Sequence, residues 1–190
     1  MRHGATFLIP SEIVNSTQIL PALAVAVGIC AAFTDVKARR IPNRLTYSAL
    51  VAGLVLHGIL YGWKGLLLSV EGCLLFGGVF LLFYLVRAMG AGDVKLAAAL
   101  GSIVGVSATL SVMLATAWAG AALAICFMVL SGRVVETLRN TLWVTGFHVQ
   151  HGLQVHPVVN LDNPVGGRMP YGLAFAAGTA YWALSLGWWS

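Results

Sequence analysis

"KLAAALGSIVGVSATLSVMLATAWAGAALAICFMVL", residues 95–130, holds a single charge, at its first position. About twenty apolar residues suffice to cross a bilayer, and this run is nearly twice that long. It reads either as two crossings or as one long tilted helix, and the choice sets the direction of everything after it. Only Gly105 to Ser107 signals a break. Taking that break gives segments 95–107 and 108–131, whereas ignoring it leaves five spans in the chain in place of six.

Working outward, four further apolar segments appear at 17–34, 45–62, 66–88 and 170–188. The whole chain is 59% hydrophobic and 9% charged, which is too little charge to cover a globular surface, so lipid must act as solvent. The expectation is an all-α, polytopic membrane protein of about six transmembrane helices, forming a single domain over 1–190. With the N-terminus outside, Lys37, Arg39, Arg40, Arg44, Arg87, Lys95, Arg133, Arg139 and Arg168 fall on one side, and only Arg2 and Lys64 on the other. This asymmetry makes the crowded side cytoplasmic and the protein a multi-pass resident of the cytoplasmic (inner) membrane. It also accounts for the net charge of +5 without a nucleic-acid partner. Residues 1–16 make a poor cleavable signal, because "ATFLIP" is short and the polar "SEIVNSTQ" follows it.

The longest polar stretch, 132–169, lies on the cytoplasmic side in this arrangement. In "SGRVVETLRNTLW", Val134, Val135, Leu138 and Leu142 recur at helical spacing against Arg133, Glu136, Arg139 and Asn140, the pattern of an amphipathic surface helix. The continuation "HVQHGLQVHPVVNLDNPVGGRMP" is rich in turn residues and reads as a loop. Its His148, His151 and His156 have only Asp162 nearby, so no metal site is assigned. Cys30, Cys73 and Cys126 each sit in an apolar run without metal or disulfide spacing. Trp143, Trp182, Trp188 and Trp189 suit anchoring at the membrane interface.

Against this background two acids stand out. Asp35, in "CAAFTDVKARRIPNRLTY" (30–47), closes the first span, and Asp93, in "MGAGDVKLAAALG" (89–101), opens the fourth. The topology puts both on the cytoplasmic side at one depth, where water is available. Glu12, Glu71, Glu136 and Asp162 do not share that depth. Two facing carboxylates cannot both ionise cheaply, so one keeps a proton while its partner activates water. Such a pair titrates as a unit. Gly90 and Gly92 supply backbone freedom and little bulk beside Asp93, letting an extended substrate approach. Each acid also fits a purely structural role: Asp93 as a helix cap, Asp35 as a partner of Lys37 or Arg39. Their coincidence in depth favours chemistry.

The chain resembles the type IV prepilin peptidases, membrane aspartic proteases with a G-x-G-D signature. The likeness rests on "FTDVKARRIPNRLT" (33–46), "GAGDVKLAAALG" (90–101) and, less specifically, "MPYGLAFAAG" (169–178), and it spans 17–188. It implies that Asp35 and Asp93 are the catalytic pair, without a cofactor. The implied partners are a prepilin-like substrate with a basic leader and an apolar helix, cut at the cytoplasmic membrane face. Larger members carry a cytoplasmic region with paired C-x-x-C motifs, associated with N-methylation; this sequence has none, so the resemblance implies the short, peptidase-only type.

Around the acids, Pro42 and Asn43 are expected to shape the turn into the second span. Arg39, Arg40 and Arg44 are expected to meet anionic lipid. Lys95 is expected either to pair with Asp93 or to snorkel to phosphate head groups. Leader contacts are expected from Glu136 or Asp162. The rival reading is a small proton- or ion-coupled transporter, since intramembrane acids also mark proton relays. Both acids lie at the rim of the bilayer and no inverted repeat is visible, which counts against it.

Overall fold

Helices that are apolar on every side bury their backbone polar groups internally, which is the condition for residing in lipid. The computed structural model describes residues 11–132, 134–152 and 169–186, and among these the secondary structure is entirely helical. Five helices follow in order: α1 (Ser11–Ala38), α2 (Asn43–Leu85), α3 (Ala91–Ser131), α4 (Val134–His151) and α5 (Gly172–Ser185). Three have the length and apolarity to cross a membrane, over Gln18–Ala38, Asn43–Leu85 and Ala91–Leu130.

α2 and α3 are not straight. Each contains one glycine with left-handed backbone, Gly62 (φ 63°, ψ −151°) and Gly105 (φ 69°, ψ 165°), a conformation costly for residues with a Cβ. Side-chain contacts show how far the chain turns there. Ser102 Oγ donates to Leu50 O at 3.3 Å, and Ser69 Oγ donates to Ser102 O at 2.6 Å. A straight helix would hold residues 50 and 69 about 28 Å apart, so α2 folds back at Gly62. Likewise Phe175 packs on Phe76 with ring centroids 5.8 Å apart, next to where Gly77 meets Ala98, while Ala174 lies against Gly120. Residues 98 and 120 would be about 33 Å apart on a straight helix, so α3 folds back at Gly105. The break expected at Gly105–Ser107 therefore falls on the glycine. The boundary between the second and third apolar segments falls on Gly62.

The resulting hairpins interlock. The first half of α3 lies between the two halves of α2, and α5 runs antiparallel to both α1 and the second half of α3. Contact is backbone to backbone where Gly72 and Gly101 cross, since a Cβ on either would collide with the other's carbonyl oxygen. Between helices in lipid, close packing and hydrogen bonds replace the hydrophobic effect as the source of cohesion, and small residues permit both. Accordingly the interior holds Ser69, Ser102, Thr109 and Thr179, all bonded to carbonyls, while large side chains such as Ile59, Leu74, Ile125 and Leu130 point outward.

Two expectations need correction. The helix begun at Val134 continues through residues 148–151, which had read as loop, and stops where Gly152 takes φ 65°. Trp182 is buried and no interfacial anchor: it faces the core alongside Phe175, on the side of α5 turned to α3. The remainder of the expected loop, with His156, Asp162 and Arg168, lies outside the described residues, as do residues 1–10, Arg133, Trp188 and Trp189.

Candidate active site

α1, α2, α3 and α5 each bring one end to a common region. The last turn of α1 carries Asp35, which is buried at 8% exposure. A four-residue link then leads through Arg39, whose φ of 49° ends the helix, to Pro42. Pro42 caps α2 with its extended backbone (φ −65°, ψ 133°), and its carbonyl accepts from Leu45 N and Thr46 N. Asn43 opens α2, and its Oδ1 accepts a 2.9 Å hydrogen bond from Lys95 Nζ, tying the start of α2 to that of α3. The two expected turn residues thus lie at the turn, and Asn43 also braces it.

Asp93 sits in the first turn of α3, where its Oδ2 accepts the Gly90 N–H at 3.1 Å. This satisfies a backbone donor ahead of the helix and sets the side chain's direction. Gly90 (φ −80°) and Gly92 both lack the left-handed backbone that requires glycine. Gly92 faces Ile41 with room for a methyl group, its nearest contact being 3.5 Å from a Cβ position, and a Cβ on Gly90 would lie 3.3 Å from Asp93 Oδ2.

Asp35 is held differently. Its Oδ2 accepts the N–H of Gly172, the first residue of α5, at 2.8 Å. An unpaired N–H at the positive end of a helix dipole is a natural donor to a carboxylate. The approach depends on Gly172 having no side chain: a Cβ there would lie 2.9 Å from Ala31 O and 3.0 Å from Asp35 Cβ. One turn further on, Phe175 is clamped by Phe80 and Phe76 at centroid distances of 5.2 and 5.8 Å, which seats the start of α5 beside α2.

The two carboxylates lie within range of each other's charge, and the half-buried Tyr171 lies within range of Asp93. Each acid has one oxygen fixed by a backbone amide, and among the described residues no hydrogen bond reaches its Oδ1. The fully enclosed, unpartnered side-chain polar atoms among the described residues are His57 Nδ1 and Thr116 Oγ1, and neither belongs to this pair. Two carboxylates within range of each other's charge are the kind of pair that can activate water and protonate an amide.

Not every expected partner joins this group. Lys95 lies over the Tyr47 ring, 5.5 Å from its centroid, while bonded to Asn43, and forms no ion pair with Asp93. Lys37 lies over Phe33 (5.8 Å), and Asp35 takes its hydrogen bond from Gly172 in place of Lys37 or Arg39. Conversely, Tyr171 and Gly172 belong to the region although neither had been singled out. The signal available was the Pro-Tyr-Gly turn opening the last apolar segment.

The sequence model of the type IV leader peptidase family matches residues 22–125, an interval containing both acids. No curated protein and no solved structure is significantly similar to the chain.

Proposed function

Since this chain belongs to the type IV leader peptidase family, we propose that it is a membrane aspartic endopeptidase with Asp35 and Asp93 as its catalytic residues. In this reading it removes a short basic leader from prepilin-like substrates at the cytoplasmic face of the inner membrane. The observation carrying the proposal is that two acids fifty-eight positions apart, on different helices, meet within reach of each other's charge. A transporter reading finds no comparable support, because the pair lies at helix ends and not midway along the bundle.

In the proposed cycle one carboxylate starts ionised and the other protonated. The ionised carboxylate takes a proton from water as the oxygen attacks the peptide carbonyl, and the protonated one donates to the carbonyl oxygen; the first then passes its proton to the departing amine while the second takes one back from the diol hydroxyl. The amides of Gly172 and Gly90 hold both side chains in place, so little reorganisation is needed at the moment of reaction.

The folded-back helices support six crossings with the N-terminus outside. α1 and α5 contribute one each, and α2 and α3 two each, turning at Gly62 and Gly105. Lys64, just past the Gly62 turn, then lies at the far side, and Arg39, Arg40, Arg44 and Arg87 on the near side with the acids. α4 leaves Val135, Leu138 and Leu142 exposed along one face, with Arg139 over the Trp143 ring at 5.9 Å. That face lies on the inner membrane surface, where the basic residues meet anionic lipid.

The test is cleavage of a purified prepilin-like protein in detergent. Asp35→Asn and Asp93→Asn should each keep the fold and lower kcat by ~10³-fold or more, on the scale of losing one member of a catalytic unit. Normal cleavage by either variant removes the proposal.

A further inference from the structure

The entry into α5 touches both halves of the site. Gly172, its first residue, gives its N–H to Asp35 Oδ2 at 2.8 Å, and the residue before it, Tyr171, lies within range of the Asp93 charge. Two consecutive residues thus bridge acids that stand fifty-eight positions apart. Holding Asp35 accounts for the Gly172 amide; the Tyr171 side chain is left without a role.

Several contacts fix where Tyr171 sits. Its carbonyl accepts from Ala174 N and Phe175 N at 3.0 and 3.2 Å, which locks its backbone into the opening turn of α5. Phe175 in that turn is held between Phe76 and Phe80. The Tyr171 ring rests against the second half of α3, with Cε1 3.7 Å from the Cβ position of Gly120. The residue is half-buried, and among the described residues no hydrogen bond engages its hydroxyl.

A phenol supplies what the carboxylates lack. It titrates at about 10, so at neutral pH it carries its proton and donates a hydrogen bond without joining the proton exchange. The neighbouring ammonium groups are engaged elsewhere, Lys95 with Asn43 and the Tyr47 ring, Lys37 over the Phe33 ring. As water attacks a peptide carbonyl, negative charge gathers on the carbonyl oxygen, and a fixed donor in a partly dehydrated site stabilises it. We infer that Tyr171 is a third catalytic residue, its hydroxyl donating a hydrogen bond to the carbonyl oxygen of the bond being cut. No proton leaves the phenol: the oxygen takes its proton from the carboxylic acid and becomes a diol hydroxyl. The inference rests on the peptidase reading for the reaction, and on the start of α5 for the position of the donor.

Tyr171→Phe removes the hydroxyl and keeps the ring on Gly120, so the unfolding midpoint in detergent should not move. On a prepilin-like protein its kcat should fall roughly 100-fold, the scale of losing one oxyanion donor, with KM within about twofold. A peptide carrying a difluoroketone, hydrated to a diol, at the scissile position should lose affinity by the same factor, because it copies the intermediate. Uncut substrate should bind Asp35→Asn and Asp35→Asn/Tyr171→Phe equally, and the pH profile of the residual cleavage should keep its shape. Unchanged kcat with an active wild type overturns the role of the tyrosine alone. A loss matched by a lower unfolding midpoint or a displaced pH profile also overturns it, making Tyr171 a packing or positioning residue. Wild type that cuts nothing overturns the peptidase reading and this role together.

Discussion

The two acids are secured by opposite means. At the start of α3, Asp93 is held by Gly90, three positions earlier, in a bond that forms whenever the helix forms. At the end of α1, Asp35 is held by Gly172, 137 positions away, in a bond that exists only once α5 has packed. A site assembled this way has one half preset by local helix chemistry and another that reports on the integrity of the whole bundle. Disturbing α5 should therefore act through Asp35, and disturbing the G-x-G-D turn through Asp93.

The sharpest way to break the comparison is Gly172→Val. Its side chain would press on Ala31, Ala32 and the Cβ of Asp35, moving α5 off α1. Unfolding in detergent should show a loss of about 2 kcal/mol, the usual scale of overpacking, together with a severe loss of cleavage. Unchanged activity would mean that the long-range bond contributes nothing to the site.

A smaller effect is expected at the local half. Gly90→Pro suits the observed φ of −80° but deletes the N–H that Asp93 accepts. Losing one hydrogen bond to a charged group, about 1.5 kcal/mol, corresponds to roughly tenfold in kcat. Gly90→Ala keeps the donor and should remain within about twofold, a shift small against the tenfold step. If alanine and proline behave alike, the bulk beside Asp93 matters more than the bond.

The smallest effect should come from Lys95→Met. Because Lys95 is committed to Asn43 and Tyr47, the pH profile of cleavage should keep its shape, and stability should drop by no more than ~1 kcal/mol. A displaced profile would show that the ammonium reaches the carboxylates during turnover.

Much of this architecture could be read before any contact was known. The apolar runs, the asymmetric charges and a turn near Gly105 are local or compositional features, and Asp93 behind Gly-x-Gly is a feature of four consecutive residues. The two errors have a common origin. Residues 148–151 looked like loop because polar composition was weighed above helix continuation, and Trp182 looked interfacial because its residue type was weighed above its facing. The roles of Tyr171 and Gly172 were legible only as a turn.

What the sequence determined by itself is that the chain is helical and apolar enough to cross a membrane. Hydrogen bonds within a helix and the transfer of side chains between water and hydrocarbon depend on neighbours a few residues away at most. The tertiary structure alone decided how the hairpins of α2 and α3 interlock, and that the Gly172 amide grips Asp35. In a bilayer both the lipid-facing and the helix-facing positions are apolar, so hydropathy is blind to the difference. Only the fit of backbone against backbone, where a missing Cβ permits contact, tells one face from the other.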